Sequence, residues 1–120
     1  VYPESIYESL MRFKNEWGDP PVYVTENGLA TDDSLVDGEV NDRERIDFLA
    51  SYLSEVRRAM DDGVEVKGYF QWSFMDNFEW AEGYSSRWGI VRVDFDSLER
   101  IPKASAYWYR DLIQAGGFDR

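Results

Sequence analysis

The chain contains no cysteine and no histidine. Without cysteine it has no disulfide, no thiol nucleophile and no thiolate metal site of its own. Without histidine, a Ser-His-Asp triad and imidazole-ligated zinc are excluded as well. Chemistry carried by these 120 residues therefore rests on carboxylates, tyrosine, lysine or a bound cofactor. Positive charge is scarce: 13 basic residues stand against 24 acidic ones, a formal net charge of −11. That balance argues against nucleic acid and anionic membrane surfaces as partners. No run approaches the roughly 20 apolar residues of a membrane-spanning helix, and no basic segment followed by an apolar one marks a secretory signal. The lack of cysteine and of a signal favours the cytoplasm. No internal repeat or linker interrupts a length that suits one domain. Aromatic residues, in contrast, reach 17 % and hydrophobic residues 43 %, so the composition is not that of a disordered chain.

Ile6, Leu10, Phe13 and Trp17 recur at helical spacing, which predicts an amphipathic helix over 4–17, with Pro3 suited to its start and Gly18-Asp19-Pro20-Pro21 ending it. Val22–Thr25 is a short β-branched and aromatic run, read as a buried strand leading into Glu26-Asn27-Gly28. Residues 29–41 form a polar loop of unusual length. Asn41 with Glu44 fits a capping box for a helix running to about Met60 and closed by Asp61-Asp62-Gly63. A second strand is expected over 64–73, read as a buried parallel one. Residues 90–95 and 100–102 predict a small antiparallel hairpin, and 103–115 a last helix with Ala106, Tyr109 and Ile113 on one face. A strand–helix–strand unit of this spacing implies parallel pairing, yet two parallel strands leave open edges. The expected class is α/β, as part of something larger, with Glu26 and Trp72-Ser73 at the carboxyl ends of the strands.

Between Gly68 and Gly89 lie three of the five tryptophans, Trp72, Trp80 and Trp88, among Asp76, Asn77, Glu79, Glu82 and Arg87. Flat rings alternating with carboxylates and amides suit a sugar, whose C–H faces stack on indole and whose hydroxyls bind carboxylate. An aromatic core strand with its loop would read similarly. Glu26 fits an exposed turn carboxylate at Asn-Gly as readily as a nucleophile held at a strand end. Glu79 could instead pair with Arg87 or Arg92. Asp94, Asp96 and Glu99 read as a solvated hairpin, since the glycine of a calcium loop is missing. Lys103 reads as a loop anchor, and Tyr107-Trp108-Tyr109 as packing.

Together these residues resemble a known family. Val24-Thr25-Glu26-Asn27-Gly28 resembles the (I/V)TENG motif of family 1 glycoside hydrolases, the β-glucosidase family. The run from Trp72 to Trp80 is similar to that family's WS(L/F)xDNFEW segment. Arg87–Val91 and Pro102–Ser105 are similar to its RFG(L/I)V and PKxS segments, in the same order. The resemblance implies the C-terminal part, about the last two β/α units, of a (β/α)8 TIM barrel, so that residues 1–120 are not a complete domain. Residues 23–25 would be the seventh strand, 67–72 the eighth, and 4–17 part of the helical layer before them. It implies Glu26 as nucleophile, Trp72 under the glycone, Glu79 gripping its far hydroxyls and Trp80 hydrogen-bonding beside them. Trp88 stands where phenylalanine is common and Ser5 where glycine is common. Ser86, where the phosphosugar branch has lysine, and the presence of Glu79 favour a neutral glycone. No cofactor and no metal is implied. The partners implied are a small β-glycoside or oligosaccharide and either the remainder of the barrel or a second copy covering the open edges. The family's acid/base glutamate lies in an NEP motif, which this chain lacks, so it is expected to be inactive alone. The alternative is a non-catalytic carbohydrate-binding or assembly module derived from such an enzyme.

Overall fold

A computed structural model describes residues 1–117. The elements run α1 (Glu4–Trp17), β1 (Val22–Asn27), α2 (Arg43–Asp61), β2 (Val66–Gln71), a 3₁₀ turn (Trp80–Glu82), β3 (Val91–Val93), β4 (Arg100–Pro102) and α3 (Ala104–Ala115). They divide into two compact units, one of Val1–Asn27 with Asp47–Gln71, the other of Gly28–Ile46 with the described residues from Trp72 onward.

In the first unit β1 and β2 pair in parallel, Val22 opposite Val66, Tyr23 opposite Gly68 and Asn27 opposite Gln71. The sheet has only these two strands, so both outer edges are unpaired among the described residues. Leu10, Val56, Ala59 and Val64 form the buried cluster, with Ile6, Tyr7, Met11, Val22, Val66 and Tyr69 packed around it. One face of the sheet is thereby covered by α1 and α2, while Tyr23 and Phe70 remain more than half exposed. The apolar stripe of α1 is only partly used: Leu10 is buried, but Trp17 is 72 % exposed. Pro3 precedes α1 with φ −61, already helical. Lys14 closes the far end of α2 by donating to the carbonyls of Gly63 (2.7 Å) and Asp62 (3.3 Å), acceptors a helix end leaves free.

In the second unit β3 and β4 form the expected antiparallel hairpin, Arg92 opposite Ile101. Its turn is held by Asp94, whose Oδ1 accepts from the Ser97 N–H (2.8 Å) and hydroxyl (2.8 Å), as a solvated turn requires. Two expectations change here. The residue before α2 is Asp42, not Asn41, and its carbonyl accepts from Arg45 and Ile46. Its carboxylate instead binds Ser105, and long-range bonding to α3 displaces the local capping box. On α3 the buried residue is Ser105, whereas Ile113 is 63 % exposed.

Candidate active-site residues and a buried ion cluster

β1 does not turn at Asn27-Gly28 but continues through Asn27, because its partner is the parallel β2 and not a hairpin mate. Glu26 sits at the carboxyl end of β1 and is exposed. Tyr69, from β2, donates its hydroxyl to Asn27 Oδ1 at 2.7 Å, pinning the side chain next to Glu26.

The second unit holds the tryptophan-rich segment. Trp72 follows β2 by one residue, and its peptide bond to Ser73 is cis. The Trp72 indole N–H donates to Glu79 Oε1 at 3.0 Å. The residues between them form a tied turn: Asn77 Nδ2 donates to the Ser73 hydroxyl (3.1 Å) and the Met75 carbonyl (2.9 Å). Residues 73–76 are laced to 88–91 through Ser73 N to Trp88 O, Ile90 N to Ser73 O and Asp76 N to Val91 O, each at 3.0 Å. Glu79 N bonds Gly83 O at 2.7 Å, closing a turn that leaves Trp80 86 % exposed at φ +41. The structure thus joins Trp72 to Glu79, backs Trp88 onto Ser73 and presents Trp80 to solvent. The alternative partners of Glu79 are engaged elsewhere: Arg87 pairs with Asp76 at 2.6 Å, and Arg92 donates to the Asp33 carbonyl at 2.7 Å.

Behind this segment lies a cluster of buried charges. Arg45 is fully buried between Asp33 (2.9 and 3.0 Å) and Asp42, and also donates to the carbonyls of Arg87 (2.8 Å) and Leu29 (3.2 Å). Lys103, also fully buried, donates to Asp33, to Asp76 (2.8 Å) and to the Gly89 carbonyl (2.6 Å). Asp42 completes the set by accepting from the Ser105 N–H (2.8 Å) and hydroxyl. Three aspartates face Arg45, Lys103 and Arg87, so the charge is balanced, as burial demands. Lys103 is a loop anchor, as read from the sequence. The partnership of Asp33, Asp42 and Arg45 was missed, because its members are drawn from distant segments and follow no local period.

Asp33 gives this cluster a dependence on pH. Burial pushes its carboxyl up, but hydrogen bonds from Arg45, Lys103 and Thr31 outweigh burial and hold it below the ordinary 3.8. A depressed folded-state pKa contributes stability above the unfolded value, and that stability is lost as pH falls through the folded one. The urea midpoint is expected to hold steady from pH 7 to about 5 and to fall below about pH 4. In Asp33→Asn the unfolding midpoint starts lower and loses part of this acid dependence. An unchanged acid slope in that variant would assign the dependence to other carboxylates.

A groove of about 520 Å³ opens beside the cluster, lined by Thr31, Ser34, Ser85, Ser86, Arg87 and Arg92 among others. Asp32 and Asp33 line it as well, and both its arginines are bonded to groups within the chain.

Parallel strands joined by a helix, with a carboxylate ending β1 and a ring following β2 in the chain, define an α/β protein of the class that places chemistry at the carboxyl ends of strands. Residues 1–118 match the model of glycosyl hydrolase family 1, and the chain belongs to that family. It is 48 % identical over 120 residues to beta-glucosidase A of Thermotoga maritima, covering 99 % of this chain and 27 % of that protein. It is 44 % identical over 113 residues to a 6-phospho-beta-galactosidase of Streptococcus equi subsp. zooepidemicus, covering 93 % of this chain and 24 % of that protein. Among solved structures it superimposes with a TM-score of 0.97 on the Thermotoga maritima family 1 β-glucosidase in complex with isofagomine lactam, at 48 % identity, covering 99 % of this chain and 27 % of that one. The chain spans about a quarter of the length of these relatives. The solved β-glucosidases are (β/α)8 barrels, and the two-stranded sheet is a part-barrel sheet.

Proposed function

We propose that residues 1–120 are the C-terminal portion of a retaining β-glycosidase of β-glucosidase type, with β1 and β2 as the last two barrel strands. The observation that carries this is an exposed glutamate at the carboxyl end of a parallel strand in a family 1 chain. Glu26 attacks the anomeric carbon and forms the glycosyl-enzyme bond, while the leaving oxygen takes a proton from a second carboxyl group. Retention needs that group about 5–5.5 Å from the nucleophile. It then deprotonates the water that releases the sugar and restores Glu26. In this proposal the second carboxyl comes from outside residues 1–120. Trp72 lies under the glycone, Glu79 takes its distal hydroxyls, Trp80 adds an indole N–H, and Trp88 walls the pocket. The Trp72–Glu79 hydrogen bond supports this division of labour, since ring and carboxylate are already held together. Ser86 in place of a lysine, together with Glu79, favours a neutral glycone over a 6-phosphosugar.

The test joins residues 1–120 to the preceding part of Thermotoga maritima beta-glucosidase A. The joined chain is expected to hydrolyse 4-nitrophenyl β-glucoside faster than its 6-phosphate and to release the β-anomer first. Glu26→Gln should lower kcat by about 10⁴–10⁶-fold, the scale seen when a covalent nucleophile is lost. The 14.1 kDa chain alone should show no turnover. Full activity in the Gln variant would sink the assignment of the nucleophile.

A further inference from the structure

Lys103 is the residue before α3, and its ammonium is wholly buried. An ammonium has three donors. All three are used, on Asp33, Asp76 and the carbonyl of Gly89. Asp76 is equally committed. Its Oδ1 also accepts from Gly89 N at 3.0 Å, and its Oδ2 accepts from Arg87 at 2.6 Å and Val93 N at 3.4 Å. In the chain Asp76 stands between Trp72 and Glu79, the two ends of the indole–carboxylate bond. Lys103 therefore grips both sides of the lacing that supports this segment, the Asp76 side chain in residues 73–76 and the Gly89 carbonyl in residues 88–91.

We propose that Lys103 is a positioning residue for the Trp72–Glu79 pair, holding Asp76 so that the loop between them brings indole N–H to carboxylate. The proposal rests on the reading of Trp72 and Glu79 as sugar-binding groups. Without the ammonium, the carboxylates of Asp33 and Asp76 lose the cation they share. Arg45 is committed to Asp33 and Asp42, and Arg87 holds only one oxygen of Asp76. Asp76 then keeps Gly89 N, Arg87 and Val93 N but has its only cation on Oδ2, so the carboxylate turns toward Arg87, which loosens its hold on Gly89 and shifts the turn that aims Trp72. A merely stabilising lysine would leave that turn unchanged in the folded chain.

The experiment uses the 120-residue chain labelled with nitrogen-15, with the Trp72 indole cross-peak assigned by its loss in Trp72→Phe. In Lys103→Met the Trp72 indole peak is expected to move or broaden, while that of Trp17, on α1, stays in place. Leu49→Ala, which removes a buried side chain from α2, is the control for general destabilisation and should leave both peaks unmoved. An unmoved Trp72 peak in folded Lys103→Met overturns the proposal. If Lys103→Met fails to fold, Asp76→Asn decides, since it keeps the size and one acceptor while removing the charge. A displaced Trp72 peak supports the proposal, and an unmoved peak or collapse of both variants overturns it by assigning Lys103 to stability alone. Titration of the unsubstituted chain with millimolar glucose reads the sugar-binding premise separately. A silent titration counts against that premise and leaves the indole measurement to judge Lys103.

Discussion

Arg45→Ala is expected to lower the stability of the chain by about 3–5 kcal/mol, the cost of stranding buried charges when one partner is removed. The guanidinium is fully buried and bonds two carboxylates and two carbonyls. After its loss Asp33 keeps Lys103 and Thr31, but Asp42 keeps only the neutral Ser105, so three carboxylates are left with Lys103 and Arg87 and Asp42 has no cation. Since a domain is stable by only about 5–15 kcal/mol, this is a large fraction of the total. Arg45→Lys should recover only part of the deficit, because a three-donor ammonium cannot span the same acceptors as a planar fork. Urea titration followed by circular dichroism checks this. A loss under about 1 kcal/mol would place the cluster with solvent-screened surface pairs, such as Arg12 with Glu16, whose side chains are 77 % and 50 % exposed.

The second large effect is expected at Gly28. A Cβ there would stand 1.7 Å from the Trp72 carbonyl oxygen and 2.7 Å from its carbon. Both are backbone atoms, so no rotamer change relieves the clash, and either Gly28 or Trp72 must move. Overpacking ordinarily costs about 1–3 kcal/mol and occasionally more. Gly28→Ala belongs at the top of that range and should lower the melting temperature by roughly 10 °C. Gly38 gives the contrast. Nothing lies within 4 Å of its Cβ position, but its φ is +82. Gly38→Ala should therefore cost only the roughly 1–2 kcal/mol of a left-handed residue. Equal melting temperatures for the two variants would mean that Gly28 does not approach Trp72 so closely in solution.

Much of the fold was legible in the sequence because it is locally encoded. The spacing of Ile6 and Leu10, the β-branched run at Val22 and the Asp-rich turn after Asp94 each specify their element within a few residues. Strand ends were harder to place. Asn27-Gly28 looks like a turn to any local rule, and only pairing with β2 carries the strand through Glu26. The tryptophan-rich segment was recognisable by its unusual mixture of rings and carboxylates, and the Trp72–Glu79 bond joins two residues singled out from that mixture. Asp33, Asp42 and Arg45 were not recognisable. Each is an ordinary charged residue in a polar stretch until the chain brings Lys103 and Ser105 to meet it.

The indole–carboxylate bond between Trp72 and Glu79 has a consequence for discrimination between ligands. In the free chain one oxygen of Glu79 already accepts a hydrogen bond. A hydroxyl arriving there on the proposed reading exchanges or shares a partner, and does not fill an empty one. Such exchanges contribute only about 0.5–1.5 kcal/mol net. The penalty falls on a molecule that displaces the indole, covers the half-exposed carboxylate from water and offers no hydroxyl in return. On that proposed reading the pair acts as a filter on hydroxyl stereochemistry, rejecting misfits more strongly than it rewards the right sugar.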